Sequence, residues 1–93
     1  MEEFIWETVE EINLNLAKRV KKIRKRKKLS QQQLANSCHV SLGSIKRFES
    51  TGNISLLSLT KIAMELGCIE EIKSLFTNVP YLNIEEVINE KRQ

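Results

Sequence analysis

Apolar residues recur at helical spacing along the first part of the chain. Ile5, Val9, Ile12, Leu16, Val20 and Ile23 are separated by four, three, four, four and three positions. That stripe predicts one long helix over residues 3–27, uninterrupted by glycine or proline. Phe4, Trp6 and Leu14 add apolar surface to its first half. The next stretch, SQQQLANSCHVSLGSIKRFES from Ser30 to Ser50, predicts two short helices. Ser30 is a good N-cap, and Gln33 stands three residues on, where a capping box takes Glu or Gln. Leu34 and Ala35 give this helix a small apolar face. Ser41 repeats the cap signal. Ile45 and Phe48 give the second helix its buried edge, with Leu42 joining them at the N-terminal end. Only Cys38, His39 and Val40 separate the two helices, so the link imposes a fixed bend.

Thr51-Gly52-Asn53 reads as a turn, with Gly52 able to take positive φ. Ser55 caps the next helix. Leu56, Leu59, Ile62, Ala63 and Leu66 form its expected buried stripe, and Gly67 stops it. Ile69, Ile72, Leu75 and Phe76 mark a fifth helix, and Phe76, like Phe48, is expected to be buried. Asn78-Val79-Pro80 ends it, because Pro80 cannot continue the hydrogen-bond ladder and biases Val79 to extended geometry. Tyr81 and Leu82 are expected to pack back on the domain. Asn83 with Glu86 is another capping pair, and Ile84, Val87 and Ile88 share a face, predicting a short tail helix. The fold class is therefore all-α. The expected organisation is a helical extension over 1–15 continuous with the first helix, a five-helix domain over 16–77, and a tail over 78–93. At 93 residues the chain has the size of one domain with extensions.

Charge adds an asymmetry that the net value of +3 conceals. Glu2, Glu3, Glu7, Glu10 and Glu11 open the chain, and no acid follows until Glu49. Between them lie Lys18, Arg19, Lys21, Lys22, Arg24, Lys25, Arg26, Lys27, Lys28, Lys46 and Arg47. A solvated basic helix accounts for such a run by itself. Beside a bent helix pair, it suits a surface that faces phosphates. Cys38 and Cys68 lack close ligand spacing and have only His39 nearby, so no metal and no cofactor is expected. Cys38 reads as a small packed residue in the turn. No secretory leader and no apolar run of membrane length occurs, so a cytoplasmic protein with reduced thiols is expected. One histidine without a neighbouring carboxylate, no glycine-rich phosphate loop and no nucleophile motif argue against an enzyme.

From about Leu16 to Gly67 the chain resembles the Cro/CI-type (XRE-family) helix-turn-helix domain of bacterial and phage repressors. The residues that carry the likeness are LSQQQLA, VSLGSIKRFE, a short loop and SLLSLTKIAMELG, in that order and spacing. The resemblance implies a five-helix lambda-repressor-like DNA-binding domain, here with a long N-terminal helical extension and a short C-terminal tail helix. It also implies an ion pair between Arg24 and Glu49 that braces the first helix against the third, orienting more than stabilising.

The implied activity is sequence-specific binding of double-stranded DNA in the major groove. Gln31 and Gln32 open the second helix. The Gln31 N–H and the positive helix end suit a phosphate oxygen, and the family position matching Gln31 also steadies the reading helix. Arg26, Lys27 and Lys28 are candidates for flanking phosphates. Base-facing positions map to Ser41, Leu42, Gly43 and Ser44, with Lys46 and Arg47 one turn on. Leu42 suits a thymine methyl or belongs to the core; Gly43 lets the backbone come close. Lys46 or Arg47 suits guanine O6 and N7, and the alternative for Arg47 is a phosphate. So thin a set of readers implies help from DNA shape.

A homodimer on a near-palindromic operator is expected. The acidic arm packs either on its own domain or on a second subunit. The tail SLF…YLNIEEVINEKR resembles those of small regulators encoded beside kinase-like toxins, which implies an antitoxin with a toxin-like protein partner. A protein-interaction or RNA-binding module that keeps the fold without reading DNA is the competing interpretation. Leu42 and Gly43 favour it; the lack of stacking aromatics weighs against it.

Overall fold

The computed structural model describes residues 6–78, 80 and 88. These form α1 (Val9–Arg26), α2 (Gln31–Cys38), α3 (Leu42–Thr51), α4 (Leu56–Glu65) and α5 (Ile69–Lys73), with no strand among the described residues. Side-chain caps open the first four helices. Thr8 and Glu11 form a reciprocal box: the Glu11 N–H donates to Thr8 Oγ1 at 3.0 Å, and the Thr8 N–H donates to Glu11 Oε1 at 2.9 Å. Ser30 and Gln33 repeat it for α2, at 3.0 and 2.8 Å. Ser41 and Ser55 accept from the Ser44 and Ser58 N–H groups at 3.1 and 3.0 Å. Each cap satisfies an amide that no intrahelical carbonyl can reach.

The first helix starts later than its apolar stripe suggests. Residues 6–8 are not helical, because the Thr8 box fixes Thr8 in an extended conformation (φ −77°, ψ 163°). The stripe itself is also turned away from the core. Val9 is 68% exposed and Ile12 50% exposed, while Ala17 and Arg24 are buried. The reason lies in Gly52, at φ +85°, which follows α3. A Cβ there would stand 2.6 Å from the Asn13 carbonyl carbon and 2.7 Å from the Leu14 nitrogen. The missing side chain lets α1 press its backbone onto the end of α3. That docking selects the Asn13–Ala17–Arg24 line as the inner face. Val20 and Ile23 pack at its edge.

The core comprises Ala17 from α1, Leu34, Ala35 and Cys38 from α2, Val40 from the link, Ile45 and Phe48 from α3, and Ile62 and Leu66 from the α4 region. Cys38 closes α2 rather than lying in the link, which is His39, Val40 and the cap Ser41. His39 turns the chain in the left-handed region (φ 58°). The α4 stop is as expected. Gly67 takes φ +78°, its N–H donates to the Met64 carbonyl, and the Cys68 N–H donates to the Ala63 carbonyl. This is the paired bonding of a Schellman end.

Leu56 departs from the expected α4 stripe. It is exposed, because burial along α4 concentrates in its second half, at Ile62 and Ala63. The fifth helix is shorter than its apolar pattern suggests. Ser74 and Thr77 turn their hydroxyls back to the Glu71 and Ser74 carbonyls, a local alternative to continued helix. Phe76 stands at φ 59° and is 89% exposed, not buried. The tail helix expected from Asn83, the packing of Tyr81 and Leu82, and the arm before Trp6 lie outside the described residues, Ile88 excepted. No helix among the described residues is long and apolar enough to cross a membrane.

Candidate nucleic-acid interface

Three helices converge on one carboxylate at the inner side of α3. Glu49 is 8% exposed and Arg24 5% exposed. Arg24 Nε–H donates to Glu49 Oε2 at 2.7 Å and Nη2–H to Oε1 at 3.0 Å, a two-pronged geometry that fixes orientation as well as distance. Its Nη1–H donates to the Leu29 carbonyl at 2.6 Å. From α2, Gln31 Nε2–H donates to Glu49 Oε1 at 2.8 Å. Burial pushes the Glu49 carboxyl pKa up. The hydrogen bonds from Arg24 and Gln31, with the charges of Arg24 and Lys21, outweigh that and hold it below the usual carboxylate range. The expected Arg24–Glu49 pair is therefore formed, and Gln31 joins it, so that α1 and α2 both hold α3.

The outer side of α3 carries the expected readers. Ser41, Gly43, Lys46, Arg47 and Ser50 are exposed; Leu42 and Ser44 are half-buried. Leu42 packs against the core, which gives it a structural task whatever it meets outside. The Ser41 hydroxyl donates to Ser44 Oγ at 2.8 Å. Nothing lies within 4 Å of a Cβ built on Gly43, so the first turn of α3 offers bare backbone to an approaching surface.

Sequence reasoning missed the other wall of this surface. Asn53, Ile54, Ser55 and Ser58 form an open cleft of about 320 Å³ with Ser44 and Arg47. The cue was a polar turn and a cap following directly on a basic helix. Other candidates lie apart from the Lys46–Arg47 pair in sequence. Gln32 is exposed and donates to Asn36 Oδ1 at 3.0 Å. Lys28 is exposed in the α1–α2 connection at φ 61°. Lys27 runs to the α4–α5 turn, where its Nζ stands 3.7 Å from the place a Gly67 Cβ would occupy; there it meets the negative end of α4.

Both cysteines are free thiols. Burial, the largest influence, raises both pKa values, which disfavours reactive thiolate. No cluster of His, Cys, Asp or Glu suited to a metal occurs among the described residues.

A capped α2, a left-handed link at His39 and an exposed α3 held from behind together make a helix-turn-helix unit. A family model described as Helix-turn-helix matches residues 20–70, more than half of the chain. The chain belongs to the Cro/CI-type helix-turn-helix family. Its fold is the lambda-repressor-like, all-helical one. Members of this family bind DNA, and it is not a family of enzymes. This Cro/CI-type protein has no significant match among curated proteins or solved structures.

Proposed function

We propose that this Cro/CI-type protein is a transcriptional repressor that reads the major groove of a near-palindromic operator as a homodimer. The observation that carries the reading is the two-sidedness of α3. Its inner carboxylate is bound by Arg24 and Gln31, while Arg47 stands exposed on the opposite side and Lys46 exposed at the flank. A helix held this firmly enters a groove without first having to be ordered, which lowers the cost of binding.

Positioning and reading then fall to different groups. The Gln31 N–H at the start of α2 and the exposed Lys28 suit phosphate oxygens on one side of α3. Asn53, Ser55 and Ser58 suit them on the other, with the positive N-terminal end of α4. Lys46 and Arg47 reach base edges, and a bidentate contact to guanine contributes ~1–3 kcal/mol of discrimination. Gly43 brings the backbone close. Occupancy of such a site excludes polymerase, which is the sense in which the protein represses.

Selection of bound duplexes from a random pool tests this directly. Enrichment of a two-fold symmetric sequence, with half-sites about 34 Å apart, is the expected result, together with lowered transcription from a promoter carrying it. Binding that falls steeply with salt yet enriches no sequence would refute the reading.

A further inference from the structure

Helix α1 is unusual in leaving the exposed end of its apolar stripe in line with an apolar groove. Val9 and Ile12 are 68% and 50% exposed. Further along the same stripe Leu16, Val20 and Ile23 form one wall of a groove of about 460 Å³, whose other side includes Leu59 and Ile72. At 100° per residue the stripe lies about 80° round the helix from the Asn13–Ala17–Arg24 line that docks on the core. Charge changes sign along the solvent-facing side of the helix. Its first half carries Glu11, and Glu7 stands just ahead of the helix, where its Oε2 accepts from Asn15 Nδ2 at 3.1 Å. Its second half carries Arg19, Lys22 and Arg26.

A helix that is acidic at one end, basic at the other and apolar between is complementary to itself only when reversed. We propose that two copies pair through α1, antiparallel and centred near Leu16, each seating its Val9 and Ile12 in the other's groove. Reversal about Leu16 sets Val9 level with the second copy's Ile23, and Ile12 level with its Val20. It also brings Glu11 to within one residue of the level of Lys22, and the Glu7 that precedes the helix toward Arg26, whereas a parallel pair would oppose like charges. The contact is isologous and closes at two copies. This proposal names the surface for the homodimer of the preceding section and rests on that reading.

Sedimentation equilibrium of the full chain tests it, with the single tryptophan as a second readout. Trp6 is 81% exposed at the seated end of the helix, so its emission shifts to the blue on association and returns to the red on dilution. The Ile12→Asp variant weakens association by about tenfold or more and melts within a few degrees of the wild type. Glu7→Lys/Glu11→Lys and Lys22→Glu/Arg26→Glu each lose self-association, and mixing the two restores a dimer that contains one of each. Phe76→Asp, on the exposed Phe76, leaves association intact. If Ile12→Asp stays dimeric while Phe76→Asp dissociates, the α1 pairing is wrong and the homodimer stands on another surface. A mixture of the two charge variants that stays monomeric also overturns the α1 pairing. A wild type that is monomeric at every concentration, free and on DNA, removes the homodimer with it.

Discussion

Replacing Arg24 by methionine removes three hydrogen bonds and one charge from a site almost closed to water. Glu49 keeps only the Gln31 Nε2–H at 2.8 Å, and the Leu29 carbonyl loses the Nη1–H at 2.6 Å. A buried carboxylate deprived of its cation is destabilised by about 3–5 kcal/mol. For a domain of this size each kcal/mol moves Tm by roughly 4–8 °C, so Arg24→Met melts at least about 12 °C below the wild type. Glu49→Leu strands the guanidinium and lowers Tm comparably. The double variant Arg24→Met/Glu49→Leu leaves no stranded charge and recovers most of the loss, since apolar replacements of buried pairs are often neutral.

Thermal and urea melts of the four proteins give the coupling energy, expected at about 2 kcal/mol or more. The fold then returns while the orientation of α3 does not, so the double variant melts near the wild type and binds its operator less tightly. Coupling below about 0.5 kcal/mol would refute the stabilising part. A double variant with wild-type affinity would refute the claim that the pair aims the helix.

Four further outcomes follow from the same geometry. Because the Glu49 pKa is lowered in the folded state, the stability it contributes is present above the unfolded carboxyl pKa. It is lost as pH falls through the folded value. Urea midpoints therefore decline more steeply below about pH 4.5 in the wild type than in Glu49→Gln, and parallel curves would contradict the depressed pKa. Gly52→Ala destabilises by about 1–3 kcal/mol, since its Cβ meets the α1 backbone. Gly43→Ala stabilises by up to about 1 kcal/mol yet weakens operator binding, and a Gly43→Ala variant that binds as well as wild type would show that bare backbone is not needed there. Arg47→Ala and Lys46→Ala each reduce the salt slope by about 0.9 if the side chain meets a phosphate. A base contact instead shows as relaxed preference at one operator position.

Features encoded within a few residues were legible in the sequence. The Ser30–Gln33 box, the Ser41 and Ser55 caps and the Gly67 stop all stand where their local chemistry predicts. The Arg24–Glu49 pair, 25 positions apart, came from the family likeness rather than from any local signal. The errors arose where distance or competition decides. The Thr8–Glu11 box was present, but a continuous apolar stripe pointed to an earlier start. The rotation of α1 depends on Gly52, far away in sequence, and the sequence alone gives no hint of their contact. Leu56 and Phe76 fit helical periods that their helices do not bury. Lys27 reads as one of a basic run until the C-terminal end of α4 draws it aside, and Asn53 and Ser58 become neighbours of Arg47 only once α4 folds against α2.

Helix α2 is bounded on both sides by residues with side chains in the left-handed region, Lys28 at φ 61° and His39 at φ 58°. Each conformation costs roughly 1–2 kcal/mol relative to a right-handed one. Glycine at either place would relieve that strain, but would give back about 0.5–1 kcal/mol through the greater freedom of the unfolded chain. The balance is small, so total stability gives little reason for choosing one residue over the other. Stiffness does: a glycine joint visits a wide range of angles, whereas lysine and histidine leave few. The two hinges of the reading unit are thus nearly locked, and the angle between successive helices is set before any duplex arrives.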